Sequence, residues 1–161
     1  MFYQVQDILK TKEIIEINSG TYGTRVEAQL DFASITEGTF KFSIKYLGIS
    51  GAEFNIRSDG IYIIRLLGAG AGGRRRIRVV GIPDIVLLST HDRLWKAIEI
   101  SFKIDGANSE VTVLVNGKTA IDALQFTTDV AGVNNIYYAT PKYYVTGCKT
   151  HLILTSLIPN Y

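Results

Sequence analysis

Thr39-Phe40-Lys41-Phe42-Ser43-Ile44-Lys45-Tyr46 alternates polar and apolar residues without a break. A period of two puts Phe40, Phe42, Ile44 and Tyr46 on one face and Thr39, Lys41, Ser43 and Lys45 on the other, which predicts a half-buried antiparallel strand. Ala97 to Ile104 repeats the pattern: Ile98, Ile100, Phe102 and Ile104 turn inward, while Glu99, Ser101 and Lys103 turn to water. Val111, Val113 and Val115 make a third inward row. Ile61–Leu67, Arg76–Val80, Asp84–Leu88 and His151–Leu157 are shorter runs rich in β-branched residues, which suit a pleated surface.

Turn chemistry separates these runs. Asn18-Ser19-Gly20, Glu37-Gly38, Ser50-Gly51, Ser58-Asp59-Gly60, Asp105-Gly106 and Asn116-Gly117 all carry residues that tolerate tight backbone reversals. Asn116-Gly117 fits a two-residue hairpin turn, whose central positions both need positive φ. Ser58-Asp59-Gly60 predicts a second hairpin, between Glu53–Ile56 and Ile61–Leu67. Only Val5–Ile15 has approximate helical spacing, and Lys12 interrupts its apolar stripe, so that segment is read as a strand or a short helix. Many short strands with almost no helix predict an all-β fold, either two packed antiparallel sheets or a closed barrel. No linker, charge block or repeat divides residues 1–161, which read as one domain with 1–13 as a candidate N-terminal extension.

The chain has 161 residues and a mass of 17.8 kDa, enough for one core to bury roughly 70% of the surface exposed on unfolding. Apolar residues form 47% and charged residues 20%, the balance of a folded protein. A formal charge of +2 is too small for a wholesale nucleic-acid binder. With one cysteine and two histidines, neither an internal disulfide nor a structural zinc site is expected. No apolar run is long enough to span a bilayer, and the first residues lack the pattern of a signal peptide.

Three clusters invite a functional reading. Gly68-Ala69-Gly70-Ala71-Gly72-Gly73 matches a dinucleotide fingerprint in letters, but that fingerprint needs a helix next to receive the pyrophosphate. A strand-like Arg74–Val80 follows instead, so the glycines read as a hairpin tip. On that strand Arg74, Arg76 and Arg78 share one face, opposite Arg75 and Ile77. Their guanidinium forks would grip a phosphate, a sulfate or a carboxylated sugar, unless they serve only as a solvated strand that resists edge pairing. Tyr137, Tyr138, Tyr143 and Tyr144 form the third cluster, just after Asn134 and Asn135. Adjacent tyrosines on a strand face opposite ways, so one of each pair is expected to be exposed. Phenols and amides supply the flat surfaces and hydrogen bonds of sugar sites, although β-propensity alone also explains them. Trp95 is read as a packing residue.

Catalytic signals are sparse. His91, His151 and Cys148 have no partners at ligand or nucleophile spacing, no serine elbow occurs, and no acid pair shares a strand as hydrolysis requires.

Leu94 to Gly117, read as a unit, resembles the middle of the concanavalin A-like and laminin-G-like jelly rolls. There a tryptophan opens a strand, apolar residues follow three and five positions later, and the next strand ends in an Asp/Asn-Gly turn. Trp95, Ile98, Ile100, Asn116 and Gly117 occupy those positions. Thr39–Tyr46 and Glu53–Leu67 are similar to the family's early strands, and Tyr144–Leu157 to its closing one. The pattern spans most of residues 14–158, but Cys148 lacks the partner of the disulfide many laminin-G modules carry. The acid cluster of the family's β-glucanases is also missing.

The resemblance implies a two-sheet antiparallel β-sandwich used for recognition, with no cofactor. The expectation is a non-catalytic carbohydrate-binding module of a phage tail, baseplate or bacterial surface protein, recognising cell-surface glycan or cell-wall polysaccharide. Tyr137, Tyr138, Tyr143 and Tyr144 would stack on sugar, Asn134 and Asn135 would bond hydroxyls, and Arg74, Arg76 and Arg78 would favour anionic decorations. The alternative is a structural or adaptor domain that binds other proteins of a virion or surface complex.

Overall fold

A computed structural model describes residues 13–18, 27–47, 53–67, 75–88, 94–139 and 149–159. Strands are numbered along the chain. One six-stranded sheet has the order β1 (Glu13–Asn18), β12 (Lys149–Pro159), β3 (Glu37–Leu47), β8 (Lys96–Lys103), β9 (Ser109–Val115), β10 (Lys118–Phe126). The other runs β2 (Glu27–Ile35), β11 (Val133–Ala139), β4 (Glu53–Ser58), β5 (Ile61–Leu67), β6 (Arg75–Val79), β7 (Ile85–Leu88). Every neighbouring pair is antiparallel. Gly106–Asn108 forms a single 3-10 turn, and no helix of the described residues is long and apolar enough to cross a membrane.

The three alternating runs of the sequence lie side by side in the first sheet. Phe40 is opposite Ile100 and Phe42 opposite Ile98; Ile100 in turn faces Val113, and Phe102 faces Val111. All of these side chains are buried, and they meet the inward row of the second sheet, which includes Phe54, Ile56, Ile64, Leu66, Ile77, Val79, Ile136 and Tyr138. Phe54 stacks on Phe42 with ring centroids 4.2 Å apart and meets Phe40 edge-on at 6.3 Å. Each such ring contributes about 1.5–3 kcal/mol through burial, so this aromatic cluster is the seam between the layers.

Both predicted hairpins form. Asn116 and Gly117 take φ of 50° and 76°, and Asp59 and Gly60 take 46° and 82°. The second hairpin carries an irregularity that the turn does not announce. Arg57 pairs with Tyr62, but Ile56 pairs with Ile64, leaving Ile63 as an extra residue in β5. This bulge moves Arg65 onto the face that carries Asn55 and Arg57.

Strand limits move by a few residues from those expected: Arg75–Val79, Ile85–Leu88, Lys96–Lys103 and Lys149–Pro159. Residues 68–74 lie outside the described residues, yet Leu67 faces Arg76 across an antiparallel pair, so a strand follows the glycines where a nucleotide fold needs a helix. Residues 1–12 of the ambiguous N-terminal segment also lie outside, and β1 follows them, paired to β12. His91 and Cys148 lie outside as well. Trp95, expected to pack, is 41% exposed just before β8.

Candidate functional site

The outer faces of the two sheets differ in kind. On the first, Thr39 and Ser101 share a hydrogen bond of 2.9 Å and Lys41 pairs with Glu99 at 3.6 Å. A depression of about 190 Å³ there is lined by Ser43, Ala97, Leu114 and Gly117 beside that ion pair. Among the described side chains of this face, the groups are small or mutually paired and have little to offer a ligand.

Register assembles a different set on the second sheet. Gln29 and Asp31 of β2 face Tyr137 and Asn135 of β11, which in turn face Asn55 and Arg57 of β4. Asn55 faces Arg65, Arg57 faces Tyr62, and Arg65 faces Arg78 of β6. The Arg57 guanidinium lies 4.3 Å from the Tyr137 ring centroid and 5.8 Å from that of Tyr62. Its Nε donates to Asn135 Oδ1 at 2.7 Å and its Nη2 to Gln29 Oε1 at 3.1 Å. Arg65 lies 4.3 Å from the Tyr62 ring, donates through Nε to Asn55 Oδ1 at 3.0 Å, and pairs through Nη2 with Glu53. Asn135 and Asn55 are themselves held, by Asp31 Oδ1 and by the Tyr137 carbonyl oxygen. Each guanidinium is therefore fixed along the edge that carries Nε and Nη2. Tyr62 lies between the two and is 37% exposed.

The residues singled out in the sequence divide. Arg76 and Arg78 do share the outer face, while Arg75 turns inward with Ile77 and is only 3% exposed. Both outer arginines bind Asp84. Arg78 holds its carboxylate with two bonds of 2.7 and 3.0 Å, and Arg76 reaches it at 3.4 Å. The hydrogen bond from Arg78 keeps the Asp84 carboxyl below its usual range, and the same bond raises Arg78. The pair Tyr137 and Tyr138 leaves neither ring open: Tyr138 points into the core at 2% exposure, and Tyr137, on the outer face, is covered by Arg57 and is 8% exposed. Asn135 braces Arg57. Asn134 clamps the β4–β5 turn, donating to Asp59 Oδ1 at 2.7 Å and accepting from the Asp59 amide at 2.9 Å. Arg74, Tyr143 and Tyr144 lie outside the described residues.

Sequence reasoning missed Tyr62, Arg57, Arg65, Gln29 and Asn55. Arg57 and Tyr62 flank Ser58-Asp59-Gly60-Ile61, and the register of a two-residue hairpin already sets them opposite one another. No comparable signal marks Arg65, because the bulge decides its face.

An alginate lyase, Aly36B, superposes with a TM-score of 0.62 at 11% identity, covering 93% of this chain and 82% of that one. A tetrameric galectin from the ball sponge Cinachyrella sp. superposes at 0.53 and 13% identity, over 84% of this chain and all of that one. The fold is a concanavalin A-like jelly roll. An endo-beta-1,4-glucuronan lyase from Trichoderma reesei shares it at 0.56 and 10% identity, over 92% of this chain and 80% of that one. The sequence matches no protein-family model and no curated protein.

These likenesses correct one expectation. The chain was expected not to be an enzyme, chiefly because no pair of acids shares a strand. Polysaccharide lyases are built on the same sandwich, and elimination needs a base and a cationic partner where hydrolysis needs two carboxyls. The premise also fails on the residues: Glu27 and Asp31 lie four apart on β2.

Proposed function

We propose that the outer face of the second sheet binds carbohydrate. The observation that carries this reading is Tyr62, half-exposed between the guanidinium groups of Arg57 and Arg65 and bordering a depression of about 280 Å³. With guanidinium groups near the Tyr62 ring, a pyranose would meet the exposed part of the phenol and give its hydroxyls to the arginines beside it. The side-chain amides Asn55 and Asn135 fix the arginines from below, so donors stand ready without having to be ordered by the ligand. The lectin and lyase structures of the same fold support a carbohydrate ligand. A phage tail or bacterial surface protein meeting host polysaccharide is the setting this reading includes. A glycan array followed by calorimetric titration tests it: Tyr62→Ala should weaken binding about tenfold with little change in melting temperature. Unchanged affinity in that variant, or silence across neutral and acidic glycans, would reject this face as the site.

A second reading is favoured by the adjacency of Arg57 and Tyr62. A guanidinium can neutralise a uronate carboxylate while a phenolate accepts the neighbouring C5 proton; the C4–oxygen bond then breaks as a C4–C5 double bond forms, and the phenol so generated gives its proton to the leaving oxygen. Incubation with polyuronates should then generate unsaturated chain ends, seen as rising ultraviolet absorbance and lost in Tyr62→Phe. A flat trace over the series would leave binding alone.

A further inference from the structure

Arg65 and Arg78 stand directly opposite one another on β5 and β6. Like charges at that distance oppose folding, so the arrangement needs a compensating feature. Each arginine has its own counter-charge, and the two lie on opposite sides. Arg65 leans toward β4, where Asn55 and Glu53 hold it. Arg78 leans the other way, toward Asp84 before β7. Both side chains line the depression of about 280 Å³, together with Tyr62, Ile63, Val79, Val80, Gly81 and Ile82. Both arginines have Nε and Nη2 engaged, so Nη1 is the nitrogen each still has to donate.

We propose that this trough seats an anionic group of the bound polysaccharide, a carboxylate or a sulfate. An anion seated there would have a guanidinium on either side and accept charge-assisted hydrogen bonds from them. Arg76 is not part of the trough, being held at Asp84 on the neighbouring position of β6. The inference rests on the carbohydrate reading and narrows it to acidic glycans.

Titration with matched pairs of probes tests it: polygalacturonate against its fully methyl-esterified form, and dextran sulfate against dextran. At least one charged probe should bind about tenfold more tightly than its uncharged partner, with an advantage that falls as salt is raised. The pair showing the larger advantage tells carboxylate from sulfate. Arg78→Gln should abolish the advantage; Arg78 is an exposed side chain, and Asp84 keeps Arg76 in that variant, so the fold should be retained. Arg65→Lys should keep part of the advantage, since the charge stays and the fork is lost. Equal affinity for charged and uncharged probes, or a charge preference untouched by Arg78→Gln, would overturn the anion site and leave carbohydrate binding standing. If none of the four probes binds, the anion site is overturned, and the broader glycan array decides the reading beneath it.

Discussion

Arg57 lies over the ring of Tyr137, 4.3 Å from its centroid, and closes off a tyrosine that the sequence marks as a sugar platform. The same guanidinium joins three strands by bonding Asn135 and Gln29. Arg57→Ala should lower stability by about 1–3 kcal/mol, because it removes a cation–π contact and two charge-assisted hydrogen bonds. Urea denaturation reads the effect as a lower midpoint with an unchanged slope. A neutral substitution would mean that the contact is incidental.

Asp84 gives stability a pH dependence of known sign. Its carboxyl, held by the Arg78 hydrogen bond, lies below the ordinary 3.8 in the folded chain. Its contribution is complete above that ordinary value and is lost as pH falls through the lower, folded one. Asp84→Asn should cost under about 1 kcal/mol at pH 7, since Arg78 is well exposed. The difference between variant and wild type should vanish in acid. Melting curves from pH 7 down to 2 check this, and a gap that widens in acid would contradict the assignment.

Asn134 sets the pose of the β4–β5 turn through its two bonds to Asp59. Asn134→Ala should destabilise by about 1 kcal/mol and speed hydrogen exchange at the Asp59 amide, whose acceptor is removed. Exchange at the Asp59 amide as slow as in wild type would show that the turn needs no clamp.

Gly132 is required for space. A Cβ there would stand 2.8 Å from the Ile35 carbonyl oxygen and 2.5 Å from Ser34 Oγ. The hydroxyl can turn away, but the backbone oxygen cannot. Gly132→Ala should cost about 1–3 kcal/mol in a thermal melt, through strain between β2 and the start of β11.

Much of the scaffold was legible in the sequence. Phe40, Phe42, Ile98, Ile100 and Val113 share one face by simple alternation, and Asn116-Gly117 can make few other turns. The site was less so, because its members come from five strands and meet only through non-local pairing. Tyr137 shows the limit: its parity is readable, but the arginine that covers it comes from β4, far along the chain. Arg65 shows a second limit. Counting back from the turn puts it opposite Phe54, facing the core, and only the extra Ile63 reverses that. A bulge reflects how a strand fits its neighbours, which a local pattern does not encode.

The groups that steady Arg57 and Arg65 are Gln29, Glu53, Asn55 and Asn135, all of them strand residues. The proposed recognition surface is thus part of the sheet's own weave, its arginines held from neighbouring strands. Its grip should vanish in one step when the sandwich melts, and of the described connections the one between β6 and β7, which supplies Gly81 and Asp84, should be the least free to change.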